Sequence, residues 1–135
     1  MQAIDTFAPM PALELLKQLL SLAATWRKSR RGKVLVVMVV DVRRAHWNAD
    51  ARRTIYIQFP DEDWGDGMCG LALKSLYGFL DAASCWNDEV GNRLEENGFI
   101  VGKANPALYR HDEQDILGLV HGDDFITLAD DGGQN

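Results

Sequence analysis

Three carboxylates stand out for what they could do together. Asp123 and Asp124 are adjacent in residues 117–128, with an apolar run on either side of His121-Gly122-Asp123-Asp124, and Asp41 closes another apolar run far upstream. Acids held together at the edge of a sheet repel unless something positive lies between them. Three converging carboxylates supply the hard oxygen ligation that Mg²⁺ requires. Each signal also has an ordinary reading, since Asp-Asp doublets are common in solvated turns and Asp41 could simply cap the turn that follows it. The chemistry depends on whether the elements that carry the acids lie side by side.

Residues 117–128 read as a tight β-hairpin whose turn presents the adjacent acids. Residues 33–41 are β-branched almost throughout and too short to span a membrane, which predicts a buried central strand with Asp41 at its C-terminal end. Upstream, Pro11 suits a first helical turn. Leu13, Leu15, Leu16, Leu19, Leu20, Leu22 and Ala23 then make one apolar face of a helix ending near Trp26. Residues 41–50 read as a turn or short helical segment, and 54–59 as a strand stopped by Pro60. A longer helix is expected over 81–97, with Asp81 as N-cap, Trp86, Val90 and Leu94 on one face and Gly98 as its stop. Short strands at 99–101 and 107–110 and a turn at 111–115 lead into the hairpin. This order suits an α+β fold, an antiparallel sheet with helices packed on one face.

Composition allows this without requiring it. The chain has 135 residues, 47% hydrophobic and 25% charged, enough for one domain with a real core. No apolar run has the length of a transmembrane helix, and the N-terminus lacks a basic segment followed by an apolar one, so an intracellular, unsecreted protein is expected. Cys69 and Cys85 have neither CxxC spacing nor nearby histidines, which predicts reduced thiols. A net charge of −6 speaks against nucleic-acid binding as an average. The positive charge is concentrated, however, in Arg27, Lys28, Arg30, Arg31, Lys33, Arg43, Arg44, Arg52 and Arg53, and most acids follow that segment. A basic half around Asp41 could hold phosphates and an acidic half metal, although 27–33 alone could equally be a solubilising loop.

Two other motifs lead elsewhere. Gly65, Gly67 and Gly70 spell Gly-x-Gly-x-x-Gly, but a dinucleotide site needs a strand running directly into the glycines. Here Pro60, Asp61, Glu62 and Asp63 intervene, and their acids would repel a pyrophosphate, so a hairpin loop is expected. Acyl transfer is disfavoured because none of Ser21, Ser29, Ser75 or Ser84 lies in a sharp glycine-flanked turn. His121 could donate a proton beside the acids, or simply be a strand residue near a turn.

The ordered series is more informative than any one piece. Asp5-Thr6-Phe7-Ala8-Pro9, the segment from Leu19 to Ala24, Val40-Asp41-Val42 with Ala45 and Asn48, Lys74-Ser75-Leu76-Tyr77-Gly78 with Trp86, Asn97-Gly98-Phe99 and Gly122-Asp123-Asp124 follow one another along the chain. In order and spacing they resemble the reverse transcriptase of Ty1/copia-type retrotransposons, from about Ile4 to about Leu128. The resemblance implies a palm in which Asp41, Asp123 and Asp124 are catalytic. Asp41 and Asp123 would share two Mg²⁺ (or Mn²⁺) ions, with the Val42 carbonyl helping to hold the nucleotide-side ion and Asp124 peripheral, so as to activate a primer 3′-hydroxyl and neutralise the leaving pyrophosphate. It also implies that His46, Tyr77, Gly78 and Asp81 lie against the incoming dNTP and template, and His121 and Gly122 against the primer end.

The partners implied are an RNA or DNA template with primer, dNTP, and the remaining polyprotein segments, integrase and RNase H. The implied setting is a cytoplasmic virus-like particle or the nucleus, without membrane. Three positions depart from the family pattern. His121-Gly122 replaces an aromatic Tyr-x before the acids, and His46 stands where an aromatic excludes ribonucleotides. Leu80 to Ser84 replace Lys-Gln-x-Pro-Arg. The matched span starts after the family's fingers hairpin and stops just beyond the metal hairpin, leaving no room for thumb, connection or RNase H. The expectation is therefore a single partial domain over 1–135, palm with part of the fingers, and a flexible tail from about 129. It would be a polymerase fragment or a decayed copy serving as an inert or interaction module. A phosphohydrolase using the same acids lacks a histidine or lysine at recognisable spacing.

Overall fold

The computed structural model describes residues 4–60, 62 and 67–132. They form an α+β fold with elements in the order α1 (Leu13–Trp26), β1 (Leu35–Asp41), a 3-10 turn (Ala45–Asn48), β2 (Tyr56–Gln58), β3 (Cys69–Leu71), α2 (Ala82–Glu96), β4 (Ile100–Val101), β5 (Leu108–His111), β6 (Ile116–His121) and β7 (Asp124–Asp130). Two compact units result. One contains Arg44–Glu89 with the N-terminal residues to Ala8, and the other Pro9–Arg43 with the chain from Val90 onward.

The second unit is built on a five-stranded antiparallel sheet in the order β1-β7-β6-β5-β4. Helix α1 packs on one face through the leucines its spacing puts on one stripe. Leu19, Leu119 and Leu128 are buried at the centre, with Leu15, Leu16, Leu22, Leu35, Leu117 and Ile126 packed around them. The helix stops where Arg27 turns left-handed, at φ 52°. Side chains alternate along β5, so Tyr109 stands on the face opposite Leu108. There a Cβ on Gly91 of α2 would lie 3.7 Å from the Tyr109 hydroxyl. The far end of α2 closes as a Schellman turn, with Phe99 N–H donating to the Leu94 carbonyl, Gly98 N–H to Glu95, and Gly98 at φ +85°.

The first unit holds the β2–β3 hairpin. Of the glycine motif expected in a hairpin loop, Gly65 lies outside the described residues, as do Asp61 and Asp63 before it. Gly70 is in β3, and a Cβ there would come within 2.5 Å of the Phe59 ring. That position is glycine because a ring lies over it, a packing reason rather than a phosphate-binding one. Both cysteines are free thiols, Cys69 exposed and Cys85 buried. Asp50 and Lys74 pair by a β-bridge and a 2.5 Å ion pair.

One expectation needs correction. The run at 33–41 is a strand, but β1 is the sheet's edge rather than its centre, and all but Leu35 of its residues are exposed. A continuous β-branched run specifies extended backbone, whereas burial depends on what lies beside and above it. On one side β1 pairs with β7 through its whole length, Leu35 opposite Asp130 and Asp41 opposite Asp124. On the other side, among the described residues, only its start is paired, by residues 27–29. Pairing with β7 continues through Asp130, where the tail was expected from about 129, and residues 133–135 lie outside the described part.

Candidate active site

The β6–β7 connection is a two-residue turn, because His121 pairs with Asp124 and leaves only Gly122 and Asp123 between them. Gly122 has φ +65° and Asp123 does not have positive φ, the pattern of a type II′ turn with glycine first. On its other side β7 is tied to β1 by main-chain bonds at both ends. Val42 N–H donates to the Asp123 carbonyl at 2.9 Å, and Asp131 N–H to the Val34 carbonyl at 3.1 Å.

These two bonds fix the phase of the ladder. Even-numbered residues of β1 exchange hydrogen bonds with β7, so Asp41 and Asp124 form a non-hydrogen-bonded pair. In such pairs the Cα atoms are about 4.5 Å apart and the side chains are closest. Two like charges thus stand directly opposite each other, a destabilising arrangement. His121 shares this face as the cross-strand neighbour of Asp124, so Asp41, Asp124 and His121 make one row over three strands. A cleft of about 240 Å³ opens beside the row, lined by the start of α1 (Pro11, Ala12, Leu13, Leu16) and by Leu119, His121, Asp124 and Ile126.

The sheet therefore brings together Asp41, Val42, His121, Gly122, Asp123 and Asp124. Asp123 is one residue out of phase with the row, in the turn, and its carbonyl is engaged by Val42. Among the described residues, no three His, Cys, Asp or Glu side chains group so as to hold a metal ion. The donor chemistry of the facing pair suits a hard divalent cation, which would relieve its repulsion. The third carboxylate is positioned by the main chain but does not join the pair in a three-acid cluster.

The other singled-out residues belong to the first unit. His46 lies in the 3-10 turn with its ring 4.3 Å from that of Tyr77. Tyr77 is exposed, and Gly78 has φ +95° with open space where a Cβ would point. Asp81 is buried, and its carboxylate accepts two hydrogen bonds from Arg53, at 2.8 and 3.0 Å. That bidentate guanidinium holds the Asp81 carboxyl below the usual carboxylate range, against the upward push of burial, and Asp81 in turn raises Arg53. A depressed carboxyl stabilises the fold at neutral pH, and its contribution disappears as pH falls through the folded-state value.

Sequence reasoning missed Arg53, because its partner is 28 residues away and no local spacing signals it. Other basic residues also have protein partners. Arg52 pairs with Asp88, Arg30 with Asp115, and Arg31 donates to the Glu113 carbonyl. The basic segment is thus partly consumed in tying loops down.

Acidic residues facing each other on neighbouring antiparallel strands, beside a sharp turn that carries another, are suited to cation-assisted phosphoryl chemistry. The chain belongs to the reverse transcriptase (RNA-dependent DNA polymerase) family, whose sequence model matches residues 1–134. No solved structure matches the chain. No helix among the described residues is long and apolar enough to cross a membrane.

Proposed function

We propose that this chain is the palm of a Ty1/copia-type RNA-directed DNA polymerase, acting by nucleotidyl transfer with two divalent ions. The observation that carries the reading is the Asp41–Asp124 pair, two carboxylates opposed at the closest kind of antiparallel position with Asp123 one residue away. Mg²⁺ or Mn²⁺, when bound, would make a primer 3′-hydroxyl more acidic and offset the charge on the departing pyrophosphate.

The chain's own residues have distinct tasks. Asp41 and Asp124 present oxygens from two neighbouring strands, and the Val42–Asp123 bond holds the turn that carries Asp123 against β1. Gly122 leaves the turn uncovered where a primer end would rest, and His121 borders the cleft. Tyr77, in tilted contact with the His46 ring, offers an aromatic surface to a base, while bare Gly78 lets a base pair approach the backbone. Asp81 acts through Arg53, which it holds in place. Template, primer and dNTP are the partners, with integrase and RNase H segments of the same polyprotein, inside the cell.

The test is thermal melting against Mg²⁺ and Mn²⁺ titration. Ligand linkage predicts a rise of a few degrees at saturation, corresponding to about 1–3 kcal/mol, and its loss in Asp41→Asn or Asp123→Asn. A flat response would refute the shared-cation site. That Asp123 stands out of phase with the Asp41–Asp124 pair among the described residues favours a second reading, a non-catalytic, decayed transposon remnant acting as an inert or interaction module. Metal-dependent primer extension on an RNA template, abolished by Asp41→Asn, would exclude that alternative.

A further inference from the structure

We infer that the outer edge of β1 is a homodimer interface, where a second copy of this chain adds its own β1 antiparallel to form one continuous sheet of ten strands. The ladder phase makes this specific. Even-numbered residues of β1 bond to β7, so the N–H and C=O groups of Leu35, Val37, Val39 and Asp41 point away from the sheet.

The beginning of that edge is already occupied. Leu35 N–H donates to the Arg27 carbonyl and Ser29 N–H to the Lys33 carbonyl, around the Lys28–Val34 bridge. Val37, Val39 and Asp41 remain, with no strand opposite them among the described residues. This window is symmetric about Val39, which is also the most exposed apolar residue of the strand at 65%.

A two-fold axis through Val39 sets Val39 against its own copy and Val37 against Asp41 of the other protomer, so every outward group in the window gains a partner. On the opposite face Met38 meets Val40 and Val36 meets Val42, apolar against apolar. In this register no like charges face each other within the window, since Asp41 lies opposite Val37 and Arg43 falls beyond it. A register shifted by one step toward the strand's start, with Met38 on the axis, would oppose Lys33 to Arg43 and require the outer groups that Arg27 and Ser29 already occupy. The strand also lacks the features that normally keep edges apart. Residues 34–40 contain no charge and no proline. Isologous pairing closes after two copies and hides the edge.

Sedimentation equilibrium of the whole chain, over a range of concentrations, tests the proposal. The expected result is reversible association from 15.1 kDa to twice that mass. Val39→Lys should return the protein to monomer with unchanged circular dichroism. Val39→Pro should do the same, since it removes an N–H that points outward and leaves the β7 ladder complete. In a Cys69→Ser background, Val39→Cys should form an intermolecular disulfide under mild oxidation, because Cα atoms of a hydrogen-bonded pair lie about 5.5 Å apart. Val36→Cys, off the axis, should not. A protein that stays monomeric at every concentration overturns the inference, as does association that survives both Val39 variants, or capture of a strand from another protein in place of a second copy.

Discussion

Strands β1 and β6 belong to one sheet and are comparably apolar, but they occupy opposite environments. Leu119 in the middle of β6 is 2% exposed, under α1 and flanked by strands on both sides. Val39 in the middle of β1 is 65% exposed, with a strand on one side only among the described residues. Their difference lies in neighbours rather than residue type. Side-chain hydrophobicity makes burial favourable, at about 25 cal/mol per Å², but the order of strands decides which residues obtain it. In β6 the apolar residues stabilise the monomer. In β1 they are free for association.

Substitutions can break or sharpen this contrast. The largest effect is expected in the covered half: Leu119→Ala should cost about 2–5 kcal/mol, lowering the melting temperature by roughly 10 °C or more. Met38→Ala, at low protein concentration, should cost only about 0.5 kcal/mol. Equal costs in denaturant melts would mean that β1 is as well covered as β6, contradicting the contrast.

Next in size is Gly98→Ala. It forces a left-handed backbone on alanine, worth about 1–2 kcal/mol, and sets a Cβ 3.0 Å from His111 Nε2. His111 is itself held at the base of β5 by the Phe99 ring and by Gln114 N–H donating to Nδ1. A neutral outcome in chemical denaturation would show that this end of the covered half can relax.

The smallest effect is in the alkaline limb. Tyr109 is buried, and burial followed by the charge of Glu95 raises its hydroxyl above the ordinary 10.0. The folded form therefore retains the proton longer than the unfolded one. Stability is complete below pH 10 and declines as pH rises through the interval, by at most about 1.4 kcal/mol per pH unit. Tyr109→Phe should flatten that decline, and a decline of undiminished slope would assign it to other groups.

How much could be read from the sequence follows the same division. The β6–β7 hairpin was legible because a glycine-first two-residue turn between apolar runs has few alternatives, and α1 because its leucines mark one stripe. The identity of β1 as a strand was legible too. Its place at the edge was not, since a β-branched run reads the same in the centre of a sheet as at its margin. Within the site, the adjacency of Asp123 and Asp124 is given by sequence. The pairing of Asp41 with Asp124 instead needs the β1–β7 register, which no local pattern encodes. Asp81 shows the limit of local rules, for a good helix-capping residue at the head of α2 has its carboxylate turned toward Arg53 in a distant segment.

The two main-chain clasps on β1, at Val34–Asp131 and Val42–Asp123, leave the strand no freedom to slide. Deleting or inserting a single residue between them would send every side chain beyond that point through the sheet to its other surface, Asp41 included. Sequence drift in this stretch is then tolerated as exchange of one residue for another, but not as a change in their number.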